Sequence, residues 1–105
     1  MSRTTRLTIR IVPRHPTVNK IIKFSGTIYN PATSHDTVIV FVFQGSVCAP
    51  KREADAVEAT VTPVGPRNAR YHVTLGKEGV GSFSAYAKDE SAAVRSSCLA
   101  YTVTG

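Results

Sequence analysis

Ser34, His35 and Asp36 stand side by side and carry the side-chain types of a nucleophile, a base and an orienting acid. Adjacent residues of a strand or turn point apart, so the triplet cannot form the hydrogen-bond chain that activates a serine hydroxyl. It reads as a turn in which Asp36 or Ser34 bonds local backbone. His15, His35 and His72 are separated by turns and strands and have no Cys or carboxylate at ligand spacing, so no metal site is expected. The glycines of "GKEGVG", residues 76 to 81, precede no helix whose amides could hold a phosphate, and the stretch reads as a hairpin turn. Glu53, Asp55 and Glu58 gather on an exposed loop but supply too few ligands in alternating order for calcium. These residues predict no catalytic centre and no cofactor, so the chain is not expected to be an enzyme.

The elements that must carry such residues are those of one small domain spanning residues 1 to 105. With 42% apolar and 19% charged residues, the composition is that of an ordinary globule. No window approaches the roughly 18 apolar residues of a membrane span, and the N-terminus lacks the apolar block of a secretory signal. The expectation is therefore synthesis in a host cytosol, no membrane partner, and arrival outside by another route such as lysis. The net charge of +6 is unevenly placed. Arg3, Arg6, Arg10, Arg14, Lys20 and Lys23 precede the first acid, Asp36, whereas seven bases meet seven acids from Asp36 onward. The excess is a local basic handle on a neutral body.

Strand patterning runs through the chain. Leu7, Ile9 and Ile11 alternate with Arg6, Thr8 and Arg10 until Pro13 and Pro16, and Ile22, Phe24, Gly26 and Ile28 share a face before the Asn30-Pro31 turn. "TVIVFVF", residues 37 to 43, is apolar on both faces and reads as the central strand. "PKREADAVEAT" is open between a helical turn, a loop and an edge strand. Val57, Ala59 and Val61, then Tyr71, Val73 and Leu75, then Phe83, Ala85 and Ala87, and finally Cys98, Ala100 and Thr102 mark further strands. Seven strands separated by Gly, Pro, Asn and Asp turns predict an all-β sandwich.

The order "TIRIVP", "IIKFSGTIYNP", "TVIVFVFQG", "YHVTL", "GVGSFSAYAKDES", "YTV" resembles the immunoglobulin-like domains of bacterial surface proteins and tailed-phage virion proteins, across nearly the whole chain. Its most specific piece is Gly81-x-Phe83-x-Ala85-x-Ala87 followed by Asp89. The resemblance implies a seven-stranded Greek-key sandwich. Phe83 stands where such domains usually have a corner tyrosine, Ala85 stands where antibody domains have the second core cysteine, and there is no Trp.

In a sheet of that kind the 37 to 43 strand and the last strand run parallel to one another on either side of the strand within residues 79 to 91. Cys48 follows the former and Cys98 opens the latter. They are thus placed at opposite ends, beyond the roughly 7 Å Cα separation of a bridge. No intrachain disulfide is expected unless residues 45 to 50 fold back. Two buried thiols are one reading; the other is that Cys48 and Cys98 are candidates for an intermolecular bridge, with Lys51 and Arg52 favouring the Cys48 thiolate.

Two surfaces are candidates for binding. Residues 1 to 5 form a flexible basic arm, and Arg3, Arg6, Arg10 and Arg14 contact an acidic partner or protect an edge strand. No aromatic residues interleave with these charges, so nucleic acid is not the expected partner. In Thr37–Phe43, either Val38, Val40 and Val42 or Ile39, Phe41 and Phe43 must face outward. That row is an interface strand for a protein partner or a second copy, unless Tyr86 and Tyr101 cover it. The resemblance implies a structural virion protein, most simply a capsid decoration or cement protein bound to a phage lattice. The alternative is an immunoglobulin-like binding module of a bacterial surface or adhesion protein, located at the cell surface.

Overall fold

The computed structural model describes residues 4–49, 55–75 and 79–105. Arg3, Lys51, Arg52, Glu53 and the Gly76–Glu78 portion of the expected hairpin turn lie outside the described residues. Among the described residues the chain is all-β, in the order β1 (Arg6–Leu7), β2 (Arg10–Val12), β3 (Ile22–Tyr29), β4 (Val38–Gln44), β5 (Asp55–Glu58), β6 (Thr60–Gly65), β7 (Asn68–Leu75), β8 (Gly81–Asp89), β9 (Val94–Arg95) and β10 (Leu99–Val103). Two antiparallel sheets pack face to face. The first runs β1–β3–β7–β6 with β2 also on β3, and the second runs β10–β8–β4–β5 with β9 also on β8.

Seven expected strands become ten because two of the predicted runs are divided and a short strand, β9, precedes the last run. The opening run splits at Thr8 and Ile9 without changing register on β3, since Leu7 pairs with Ile28 and Arg10 with Ser25. The stretch around Val57 to Val61 is where the chain changes sheets. Its open assignment resolves to an edge strand, β5, and after the single buried residue Ala59, whose N–H donates to the Val38 carbonyl at 2.9 Å, β6 joins the other sheet. That short strand is separated from β10 by one extra residue inserted on the β10 side of β8. Arg95 pairs with Lys88 but Leu99 with Ala85, a β-bulge spanning Ser96, Ser97 and Cys98. Ser96 bridges the break: its N–H donates to the Ala87 carbonyl at 2.8 Å and its Oγ accepts from the Ala87 N–H at 2.9 Å.

The core lies between the sheets. Ile22, Phe24 and Ile28 of β3 and Ala69, Tyr71, Val73 and Leu75 of β7 face Val38, Val40 and Val42 of β4, Phe83, Ala85 and Ala87 of β8 and Tyr101 and Val103 of β10. Tyr101 meets Phe24 edge-on and stacks on Phe83, both with ring centroids 5.6 Å apart. After β2 the chain crosses to the second sheet, where the Val18 N–H donates to the Thr104 carbonyl at 2.7 Å and the Thr104 N–H to the Pro16 carbonyl at 3.1 Å.

The expectation for the cysteines is overturned. Cys48 and Cys98 form an intrachain disulfide with Cα atoms 5.9 Å apart, and neither is available to bridge chains. Placing them at opposite ends assumed that β4 and β10 cover the same length of β8. Instead Val42 and Leu99 flank the same residue, Ala85, so β10 starts where β4 is nearly finished. Gly45, at a φ of 96°, reverses the chain beyond β4 and lets the following residues return to that level.

Closing a loop of 50 residues, the bridge should contribute about 4 kcal/mol by the chain-entropy relation. Replacing both cysteines by Ser is expected to lower the urea midpoint to match the reduced wild-type chain. Identical midpoints for oxidised and reduced wild type would refute the bridge.

Candidate functional site

The triplet Ser34-His35-Asp36 is a turn, as its sequence implies. Ser34 and His35 are exposed, while Asp36 is buried and accepts from the Ala32 N–H (2.9 Å), the Thr33 N–H (2.6 Å) and the Thr33 hydroxyl (2.7 Å). What sequence reasoning missed is the group that Asp36 meets, the carboxyl of Asp89 at the end of β8. Asp89 is fully buried, accepts from the Ser91 and Ala92 amides on Oδ1, and has no donor at Oδ2. Burial pushes its carboxyl up to about 7, with Asp36 adding to the rise against the pull of the two amides. Burial also acts to raise Asp36, but its hydrogen bonds to Asp89, Thr33 and Ala32 hold it below the usual carboxylate range. Among the described residues no three His, Cys, Asp or Glu side chains converge as a metal site.

On the second sheet, Val38, Val40 and Val42 enter the core, which leaves Ile39, Phe41 and Phe43 as the outward row. This row is largely covered within the chain. Tyr86 stacks on Phe41 and Phe43 with centroids 5.3 and 5.8 Å away, and the Arg95 guanidinium lies 5.5 Å from the Tyr86 ring. Tyr101, expected to help, belongs to the core on the opposite side. The Cys48–Cys98 bridge borders the same cluster, lining a cleft of about 340 Å³ with Tyr86 and Arg95. Ile39 and Phe41 stay half-buried; Phe43 and Tyr86 are buried.

The first sheet presents a different outer face. No Asp or Glu occurs in β1, β2, β3, β6 or β7. Direct strand pairing places Arg10, Ser25, His72 and Thr60 in one row across the sheet and Thr27, Arg70 and Thr62 in the next, with Lys23 beside Thr74 on the other side. Arg10, Lys23, Arg70, His72, Ser25 and Thr27 line a depression of about 500 Å³. The Arg10 Nε donates to Ser25 Oγ at 3.2 Å, and Arg6 sits 4.9 Å over the Tyr29 ring. The one ion pair among the described residues, Lys88–Glu90 at 3.6 Å, is on the other sheet.

Of the predicted basic residues, Arg6 and Arg10 therefore belong to this face, and exposed Arg14 follows β2 on its edge. Lys23, already part of the N-terminal charge run, joins them from β3, and Arg70 and His72 complete the face from a strand that sequence reasoning treated as scaffold; their outward phase in the alternation was the available signal. Of the expected free arm, residues 1 to 3 lie outside the described residues and the other two are held. The Thr5 hydroxyl donates to the Asn30 carbonyl at 2.6 Å and Asn30 Nδ2 to the Thr4 carbonyl at 3.3 Å, so Thr4 and Thr5 are tied down.

The depression exists because the edge ladder opens at Thr8. The Tyr71 hydroxyl donates to the Thr8 carbonyl, and the Thr27 N–H is taken instead by the Thr8 hydroxyl at 2.9 Å. Gly26 makes that approach feasible, since a Cβ there would stand 2.0 Å from the Thr8 oxygen and 2.7 Å from the Tyr71 ring. Burial pushes the Tyr71 phenol far up, so it stays a donor at any ordinary pH.

No protein-family model matches the chain, and no curated protein matches it in sequence.

Gly26→Ala is expected to destabilise the fold by about 2–4 kcal/mol through overpacking and loss of the Tyr71 bond, and Tyr71→Phe by about 1–2 kcal/mol. Urea denaturation ranks them; a neutral Gly26→Ala would show that the edge can close over a methyl group.

Proposed function

We propose that the chain is a non-enzymatic immunoglobulin-like assembly protein, most simply a capsid decoration or cement protein of a tailed-phage virion. It docks through the basic outer face of its first sheet on an acidic protein surface of the lattice. The outer face around Arg10, Lys23 and Arg70, free of acids among the described residues, carries this reading. Uncompensated charge of one sign on a rigid sheet favours a partner of the opposite sign and speeds encounter with it. The immunoglobulin-like assignment is supported by the strand order. Non-consecutive β3 and β7 are neighbours in one sheet, β8 lies between β10 and β4 in the other, and the segment after β2 pairs parallel to the end of β10. The disulfide favours an oxidising exterior, which suits a virion after release. It equally suits the second reading, a binding module of a bacterial surface protein.

Particles purified from the source lysate are expected to carry the chain in fixed stoichiometry and to lose it as salt is raised. Replacing Arg10, Lys23 and Arg70 by Ser should weaken rebinding to stripped particles by about tenfold or more, whereas Lys20→Ser should leave it unchanged. Recovery of the chain solely as a soluble monomer would overturn the assembly reading, and recovery in cell envelopes would favour the second.

A further inference from the structure

One end of the sandwich is closed by two loops. Residues 30 to 37 connect β3 to β4, and residues 90 to 93 leave β8 toward β9. The loops are tied twice, by the Glu90 N–H to the Thr37 carbonyl at 2.8 Å and by the Thr37 N–H to the Ser91 hydroxyl at 3.0 Å. Between them lie Asp36, 4% exposed, and Asp89, fully buried. Burial and mutual repulsion disfavour charging two carboxyls brought together in such a place.

The hydrogen bonds distribute the charge between them. Asp36 collects three donors on its two oxygens, the environment of a carboxylate. Asp89 collects two amides on Oδ1 alone and leaves Oδ2 without any donor, the environment of a protonated acid, with the Asp36 carboxyl as its side-chain neighbour. We infer that Asp36 and Asp89 share one proton, and that this pair is a latch which closes the loop end in mildly acidic medium and opens it in alkaline medium.

The other charged groups at this end do not substitute for the proton. Lys88 is paired with Glu90, Arg95 lies over Tyr86, Arg6 of the neighbouring β1 lies over Tyr29, and His35, Glu58 and Arg67 are exposed; none of these bonds either carboxyl. The loop that the latch holds also carries Asn30, which anchors Thr4 and Thr5. Opening the latch therefore loosens the root of β1 together with the loop.

The direction of the pH dependence follows from the two carboxyls. Asp89, raised from 3.8 to about 7 in the folded chain, holds a proton that the unfolded chain has released, so stability falls as pH rises from about 4 through about 7. Asp36, lowered from 3.8, contributes stability above that value which is lost as pH falls through its folded value. Stability should peak between the two limbs.

Asp89→Asn separates the proton from the shape. Its Nδ2 still donates to Asp36 and its Oδ1 still accepts from Ser91 and Ala92, but it does not titrate. Unfolding of both chains in urea at about pH 5 and about pH 8.5, with EDTA present, reads the latch. The wild-type folding constant is expected to fall by about tenfold or more between the two, and that of Asp89→Asn to lose this component. The wild-type Asp89 carboxyl, followed by carbon NMR, should titrate near 7, and that titration decides alone if Asp89→Asn does not fold. A midpoint near 4 would overturn the inference, as would an undiminished alkaline loss in Asp89→Asn. So would recovery of the pH 8.5 stability on adding calcium, because the pair would then hold a cation and not a proton.

Discussion

Strand β8 is hydrogen bonded on both edges, and the second sheet is organised by that constraint. It pairs with β4 on one side and with β9 and β10 on the other, so it cannot shift without breaking all three ladders. Its inward residues, Phe83, Ala85 and Ala87, are small toward the Asp89 end and large toward the other. Space is left there for Val38 and Val40, while Phe83 stacks on Tyr101 at the far end. Its outward residues organise what lies on the other side. Tyr86 gathers Phe41, Phe43 and Arg95, while on the inner face Asp89, in phase with Ala87 and paired with Val38, ends the strand against Asp36. The cluster around Tyr86, the nearby disulfide and the acid pair are thus placed by one strand and its register.

Charge divides along the same two layers. The described acids lie in or next to the strands of the second sheet, at Asp36, Asp55, Glu58, Asp89 and Glu90, whereas the strands of the first sheet have cations and hydroxyls on their outer face. Two layers packed roughly 10 Å apart lie about one Debye length from each other at physiological salt. The acids of one layer therefore neutralise the other only weakly. The basic face keeps its field, and the opposite face keeps a covered aromatic cluster with few uncompensated charges.

Much of this architecture was legible in the amino-acid pattern. Alternation at Leu7 to Ile11, Ile22 to Ile28, Tyr71 to Leu75 and Phe83 to Ala87 marked strands and their inner faces, because side chains on a pleated strand alternate between core and solvent. Alternation says nothing about how far one strand slides along another. The offset of β10 against β4 and the bulge at Ser96 to Cys98 were therefore invisible, and with them the disulfide. The same limit hid Asp89. Asp36 and Asp89 each look like turn residues bonding nearby amides, which both do, and their meeting depends on the pairing of Val38 with Asp89 across the ladder. The basic face was half visible, since the N-terminal charge run included Arg6, Arg10 and Lys23, but Arg70 and His72 join them only through the pairing of β3 with β7.

Gly26 connects the fold to that face. Its position on β3 points inward, where the alternation calls for a large apolar side chain, and the missing volume is filled by Tyr71 from the neighbouring strand. A buried tyrosine needs an acceptor for its hydroxyl. The acceptor here is a carbonyl of the edge strand, withdrawn from the ladder and replaced by the Thr8 hydroxyl on the Thr27 amide. The exchange satisfies each named group while dividing β1 from β2, and the depression it leaves lies among Arg10, Lys23 and Arg70. An internal packing requirement therefore shapes the surface on which the basic side chains converge, and the charge run supplies the rest.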